Sequence, residues 1–170
     1  ETLVFLNSDL EVITPDWMEA MLEHLLRDGV AAVGCQLLQR NGRVQHAGLT
    51  FRPSAWACAR NITDEEEFDF HKMQREVAGV TAACMMLRRS VFRQVGGFNE
   101  IDFPIGFSDA DLCLRLRQAG WKIIYTPFAR LYHDESATRR KQEEAYEKHT
   151  LFTRYAGASP MIDPHYSTLV

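Results

Sequence analysis

The sequence predicts an α/β domain, and three observations carry that expectation. Apolar runs with strand character, Thr2–Leu6, Ala31–Leu38 and Lys122–Tyr125, are separated by segments whose apolar residues recur at helical spacing. The first strand ends in Asn7-Ser8-Asp9 and the last extended segment in His133-Asp134, two polar clusters placed where open α/β sheets bind ligands. Between them, Asp109 and Asp111 stand at the mouth of a helix, another common position for site residues on such scaffolds.

After the first strand, Thr14 is placed to cap a helix with Pro15 at its first position and Asp16 in its first turn. Met18, Met21, Leu22, Leu25 and Leu26 supply the buried stripe, and Gly29 ends it. Asn41-Gly42 signals a hairpin, with Val44–Phe51 as the returning strand. Arg52–Arg75 keeps no period and reads as a long excursion, with Trp56, Phe68 and Phe70 beside the acidic run from Asp64 to Glu67. Glu76–Arg88 is apolar and buried, and its small residues Gly79, Ala82 and Ala83 serve either tight packing or close approach of a ligand to the backbone.

Ser90–Val95 forms a short helix closed by Gly96-Gly97. Ser108 caps the next helix, with Asp111 three residues on, and Leu112, Cys113, Leu116 and Ala119 form its apolar face before Gly120. Lys122–Tyr125 is then a strand, Thr126-Pro127 a turn and Ala129–His133 a second extended segment. Beyond Ser136 comes a charged, solvated helix, with Arg140–Glu144 and Glu144–Lys148 at pairing distance and Ala145, His149, Phe152 and Tyr155 as a narrow buried stripe. Ser159–Val170 is an irregular tail, with Pro160 and Pro164 set against regular structure.

The chain has 170 residues, enough for one domain spanning 1–170, in which 1–136 form the body and 137–170 a C-terminal helix and tail. A net charge of −4 offers no basic face, which argues against nucleic acid as a partner. Cys35, Cys58, Cys84 and Cys113 are far apart, without a CxxC pair, a pattern of thiols in a reducing compartment. No apolar run is long enough to span a bilayer. The chain starts inside its own first strand, as a piece of a longer polypeptide would.

The residues alone leave the two helix-start carboxylates open. Asp109 and Asp111 complement the helix dipole whatever else they do, and Asp111 stands four residues before Arg115, at ion-pair distance.

Five segments taken in order, FLNSD, GRVQHAG, VTAACMMLRRSVFRQVGGFNE, FSDADLCLRLRQAGWKIIYTPFARLYHDES and the tail with DPHYS, resemble the family 2 glycosyltransferases of the inverting GT-A type. The likeness is to their bacterial cell-surface polysaccharide members. It implies a GT-A fold, truncated here because the family's N-terminal nucleotide-binding half precedes the strand that starts this chain. It implies metal-assisted transfer of a hexosyl or deoxyhexosyl group, with inversion, from a nucleotide-sugar donor to a saccharide or lipid-linked acceptor, and a fragment inactive by itself. Asn7, Ser8 and Asp9 match the DXD motif, with Asn7 where the first acidic residue usually stands. Asp9 and His133 would then ligate Mn²⁺ or Mg²⁺. Asp109 matches the catalytic base, with Ser108 where a Glu often precedes it, and Asp111 a carboxylate that shapes the same site. Gly79, Thr81 and Ala82 fall near the donor sugar, and Gly97 and Phe98 on the acceptor side.

The same resemblance places the chain in the cytoplasm or at the cytoplasmic face of the inner membrane, with peripheral membrane association and self-association through an exposed sheet edge as further expectations. Two rival readings use the same residues. One is a catalytically inactive glycan-binding or scaffolding module, motivated by Asn7 and Ser108; the other is a metal-dependent hydrolase built on Asp9, Asp109 and His133.

Overall fold

A computed structural model describes residues 1–51, 59–65, 69–134 and 141–155. Its strands are β1 (Thr2–Leu6), β2 (Leu10–Val12), β3 (Val30–Leu38), β4 (Val44–His46), β5 (Leu49–Thr50), β6 (Arg60–Asn61), β7 (Arg75–Glu76), β8 (Cys84–Arg88) and β9 (Lys122–His133). Its α-helices are α1 (Trp17–Leu25), α2 (Arg89–Gln94), α3 (Ser108–Gln118) and α4 (Lys141–Tyr155), with a 3₁₀ turn at Phe70–Lys72. The main sheet runs β1-β8-β3-β9-β2, with β4 on β3 and β7 on β9, and β5 pairs with β6 in a separate ribbon.

Strand direction decides which chain ends meet. β3 and β9 are parallel, whereas β8 is antiparallel to both β1 and β3, so β1, β3 and β9 all point the same way. The nine-residue β3 is buried along almost its whole length, as a central strand covered on both faces must be. On one face α1 lays Trp17, Met21 and Leu25 against Val33, Leu37, Met86 and Leu131. On the other, Val91 of α2 and Leu112, Cys113 and Leu116 of α3 pack on Ala32, Met85, Leu87, Ile123 and Tyr125. Gly34 has no side chain because Val80 occupies that space: an added Cβ would lie 2.5 Å from Val80 Cβ. A third cluster joins α4, through Leu151 and Tyr155, to Ala110 and Leu114 of α3 and to Leu49, Phe51 and Phe103.

Several expectations need correction. The first helix starts at Trp17 rather than beside Thr14, because the backbone N–H groups of Ile13 and Thr14 both reach the Arg130 carbonyl and tie that segment to β9. The Thr14 hydroxyl caps nothing and is buried without a hydrogen-bond partner among the described residues. Pro127 does not divide two strands. β9 is continuous but bulged, Cys35 pairing with Thr126 and Gln36 with Arg130, so the residues between leave the ladder where the imide has no proton to give. The return strand after the hairpin breaks at Gly48, whose φ of +107° is open to glycine. Ser108 is the first helical residue of α3 and not its cap; Phe107, in the left-handed region at φ 52°, precedes it. The buried stripe of α4 is Glu147, Leu151 and Tyr155, whereas Ala145 and His149 are exposed. The excursion carries β6, the 3₁₀ turn and β7, and residues 52–58 and 66–68 of it, like the tail from 156, lie outside the described residues.

Candidate functional site

A cleft of about 510 Å³ opens where the C-terminal ends of β1, β3 and β9 reach one edge of the sheet, facing the start of α3. Asn7, Asp9, Thr81, Ala82, Asp109 and His133 all line it. It therefore collects residues from the beginning, the middle and the later third of the chain.

β2 pairs antiparallel with the end of β9, Leu10 opposite His133, which sets Asp9 beside the imidazole. His133 is buried, and its Nδ1 lies 2.7 Å from the side-chain oxygen of Gln45. An amide oxygen can only accept, so Nδ1 carries the proton and donates it. In the neutral ring Nε2 is then a lone pair, and it lies 3.4 Å from Asp9 Oδ1 and 3.4 Å from Asn7 Nδ2. The Asn7 amide can donate to that lone pair, and Asp9 Oδ1 faces the same nitrogen, so an amide, a carboxylate and an imidazole meet at one point of the cleft. The Gln45–His133 contact is the kind of outer contact that fixes the tautomer of a metal-binding histidine.

Asp109 lies across the cleft in the first turn of α3. Its Oδ2 accepts the Ala82 backbone N–H at 3.1 Å and its Oδ1 that of Ala110 at 2.8 Å. The Thr81–Ala83 loop that supplies the first donor is itself braced. Thr81 donates its backbone N–H to His46 Nε2 at 3.3 Å, and Ala83 donates to the Thr81 hydroxyl at 3.2 Å. His46 Nδ1 donates in turn to Asn61 Oδ1 at 2.7 Å, since that oxygen can only accept. Burial drives the His46 pKa down to about 4, against the opposing pull of Asn61 and Asp109 and with help from His133 and Arg75. His46 is therefore a neutral strut, with both ring nitrogens occupied.

Beyond His133, Arg40 pins the end of β9. It makes a two-pronged contact with Asp134, at 3.0 and 2.8 Å, reaches Glu11 at 2.5 Å and covers the Tyr132 ring at 5.0 Å.

Other residues expected at the site lie elsewhere. Asp111 is fully buried and turned away from the cleft, accepting from Tyr155 Oη at 2.7 Å and Arg115 Nε at 2.8 Å, with Arg154 Nη1 at 3.4 Å. The ion-pair alternative describes Asp111. Phe98 packs edge-on against Phe5 and Phe92, and the Gly97 carbonyl accepts from Arg115. Gly79 is buried against Cys113 and Phe51, where a Cβ would stand 3.0 Å from Cys113 Cβ. Ser8 is exposed and does not line the cleft.

Sequence reasoning missed Gln45, His46 and Asn61. A signal existed for the first two: Gln45 and His46 come just after the Asn41-Gly42 hairpin inside a short strand, and the alternation that buries Val44 also buries His46.

Asp9 and His133 fit a divalent cation as a pair of ligands, not as a cage. Among the described residues no three His, Cys, Asp or Glu side chains are grouped to hold a metal. One carboxylate and one imidazole, with further oxygens from a bound substrate and water, match the way Mg²⁺ or Mn²⁺ is held at phosphate-processing sites. Among the described residues no helix is long and apolar enough to cross a membrane, and Cys35, Cys84 and Cys113 are buried free thiols.

Known proteins are similar to this chain in sequence, and one solved structure in fold. The protein of Sinorhizobium fredii named uncharacterized protein y4gI is 40% identical over 158 residues, covering 91% of this chain and 17% of that protein. The O-antigen biosynthesis protein RfbC of Myxococcus xanthus is 37% identical over 176 residues, covering 98% of this chain and 14% of the relative. An N-acetylglucosaminyl-diphospho-decaprenol L-rhamnosyltransferase of Mycobacterium tuberculosis is 41% identical over 63 residues, covering 37% of this chain and 20% of the relative. The chain thus spans a small part of the curated relatives it matches. Among solved structures, GalNAc-T7 with UDP, GalNAc and Mn²⁺ superposes with a TM-score of 0.57 at 12% identity, over 78% of this chain and 27% of that one. The fold is therefore the α/β fold of GT-A glycosyltransferases. The family described as "Glycosyltransferase like family 2" matches residues 1–151, and this chain belongs to that family.

Proposed function

We propose that this chain carries the reacting centre of an enzyme that moves a sugar from a nucleoside-diphosphate donor to a hydroxyl of a saccharide or lipid-linked acceptor, with inversion. The observation that carries the reading is the convergence of Asp9, His133 and Asp109 on one cleft, from three separate stretches of chain. Asp109 is the base. An acceptor hydroxyl gives its proton to the Asp109 carboxylate as its oxygen bonds to the anomeric carbon. The bond from that carbon to the phosphate oxygen breaks on the opposite face, and the nucleoside diphosphate departs with the electron pair. The two backbone N–H groups on Asp109 hold its oxygens in place while leaving further lone pairs for the acceptor.

Asp9 and His133 Nε2 would hold Mn²⁺ or Mg²⁺, and the chemistry such an ion supplies is neutralisation of the charge that grows on the diphosphate. The side chains lining the cleft include two carboxylates and no Lys or Arg among the described residues, so a diphosphate approaching this wall needs that charge. Support for a nucleotide-sugar donor also comes from the UDP, GalNAc and Mn²⁺ that accompany GalNAc-T7, and for a cell-surface polysaccharide acceptor from the name of the RfbC relative.

The test is mass-spectrometric screening of the full-length protein against a panel of nucleotide sugars with Mn²⁺. Transfer should fall by roughly 10²–10⁴ in Asp109→Asn and persist in the remote surface variant Arg27→Ala. Undiminished transfer by Asp109→Asn refutes the assignment of the base. Glycan binding without transfer in the unsubstituted protein would favour the binding-module reading instead.

A further inference from the structure

Resting on that reading, we infer that Glu147 of α4 is a positioning residue that fixes the wall of the cleft leading into Asp109. A carboxylate on a charge-rich helix belongs in water, yet Glu147 is only 1% exposed. Both of its oxygens are engaged by consecutive backbone donors, Oε1 by Ile105 N–H at 2.8 Å and Oε2 by Gly106 N–H at 2.6 Å. Ile105, Gly106, Phe107 and Ser108 line the cleft directly ahead of Asp109. Glu147 does not line it and acts only through that segment.

The segment cannot hold its shape by local structure alone. It is irregular, and it enters α3 through Phe107 in the left-handed region at φ 52°, a conformation that residues with a side chain rarely adopt. Two charge-assisted bonds to one carboxylate supply the missing constraint. One turn further along α4, Leu151 packs in the cluster that also holds Phe103 and Ala110, so the clasp is seated on both sides of the segment.

A general stabilising role and a positioning role differ in what they move. Tyr155 anchors the same helix through Asp111 and does not reach the cleft. Glu147→Gln keeps the shape of the side chain and sets an amide donor against a backbone donor. In the full-length protein, kcat/KM toward acceptor should fall roughly 10- to 100-fold in Glu147→Gln, the loss typical of about 1 Å of misplacement. KM for the donor and affinity for Mn²⁺ should stay the same. Tyr155→Phe should lower Tm while leaving kcat/KM within about two-fold.

The second measurement needs no turnover: in Glu147→Gln the amide resonances of Ile105 and Gly106 should move upfield and exchange faster. Unmoved resonances overturn the inference, and so does a Tyr155→Phe variant that loses acceptor kcat/KM as far as Glu147→Gln. If the unsubstituted protein transfers no sugar while the two amides respond as stated, the clasp stands and the transferase reading falls.

Discussion

His46 makes stability depend on pH in a window set by its surroundings. The ring is 2% exposed and its folded-state pKa lies at about 4, against 6.5 for the free side chain, with burial the largest cause. Well above pH 6.5 the ring is neutral in folded and unfolded chains alike, and its contribution to stability is complete. Between 6.5 and about 4 the unfolded chain takes up a proton that the folded one refuses, so stability falls as the pH falls. Below about 4 both forms are protonated and no further loss accrues. The gap, at about 1.4 kcal/mol per pH unit, amounts to about 3 kcal/mol.

The structural reason is the direction of its two bonds. Nδ1 gives its proton to Asn61, so Nε2 must stay a lone pair to accept from Thr81, and an imidazolium would set donor against donor there. The assay is urea denaturation of the protein and of His46→Gln from pH 7.5 to 3.5, a range of about two decades either side of the midpoint of the window. A glutamine offers one donor and one acceptor without titrating. The stability difference between the two should shrink by about 3 kcal/mol across the window. A difference that stays constant from pH 6.5 to about 4 would refute the argument, because every other titrating group is common to both.

Three further outcomes are expected from the packing and the site. Asp111→Ala removes the buried acceptor shared by Tyr155, Arg115 and Arg154, and should destabilise the fold by about 1–3 kcal/mol in chemical denaturation, chiefly by leaving the buried Tyr155 hydroxyl without its acceptor, since Arg115 keeps the Val95 and Gly97 carbonyls and Arg154 keeps Asp102. Gly34→Ala drives a methyl group to 2.5 Å from Val80 on the central strand, and a loss of about 1–3 kcal/mol should appear as a lowered Tm. Gln45→Leu frees His133 Nδ1, and calorimetric titration with Mn²⁺ should show affinity weakened roughly 10- to 100-fold, while Gln36→Leu, whose amide bonds the His71 carbonyl away from the cleft, should leave it unchanged.

Legible and illegible parts of the chain divide along a physical line. Period and punctuation revealed β3, α3 and the hairpin at Asn41-Gly42, because burial on a strand or helix face writes itself into spacing. For α1 they revealed the helix but not its face: of the expected stripe Met18, Leu22 and Leu26 are exposed, and Trp17 and His24 are buried beside Met21 and Leu25. Asn7, Asp9 and His133 were visible because they end apolar runs. Asn61 was not, since it sits in an aperiodic stretch where a ribbon forms only by pairing with Leu49–Thr50. Glu147 was hidden among the charges of α4, although its place four residues before Leu151 and eight before Tyr155 puts it on the buried stripe. Asp111 shows the opposite failure. Its neighbours in sequence suggested a site residue, and the turn of the helix carried it to the side away from Asp109, onto Tyr155.

Strand direction explains why the cleft draws on such distant residues. β1, β3 and β9 run parallel, so Asn7 just past β1, Leu37 near the end of β3 and His133 at the end of β9 arrive at one edge. β8 runs the other way, so the loop before it, Thr81–Ala83, comes to that same edge, and antiparallel β2 brings Asp9 to His133. Asp109 comes instead from a helix beneath the sheet, and the Ala82 N–H is the contact that joins it to the edge. Register then becomes a functional quantity. Because side chains alternate across a strand, a one-residue slip of β9 against β3 would carry the His133 imidazole to the opposite face, away from Asp9 and Gln45. The eight paired positions along β3 and β9, on both sides of the Pro127 bulge, hold that slip in check. The longest strand pairing in the sheet is therefore also what keeps the imidazole in the cleft.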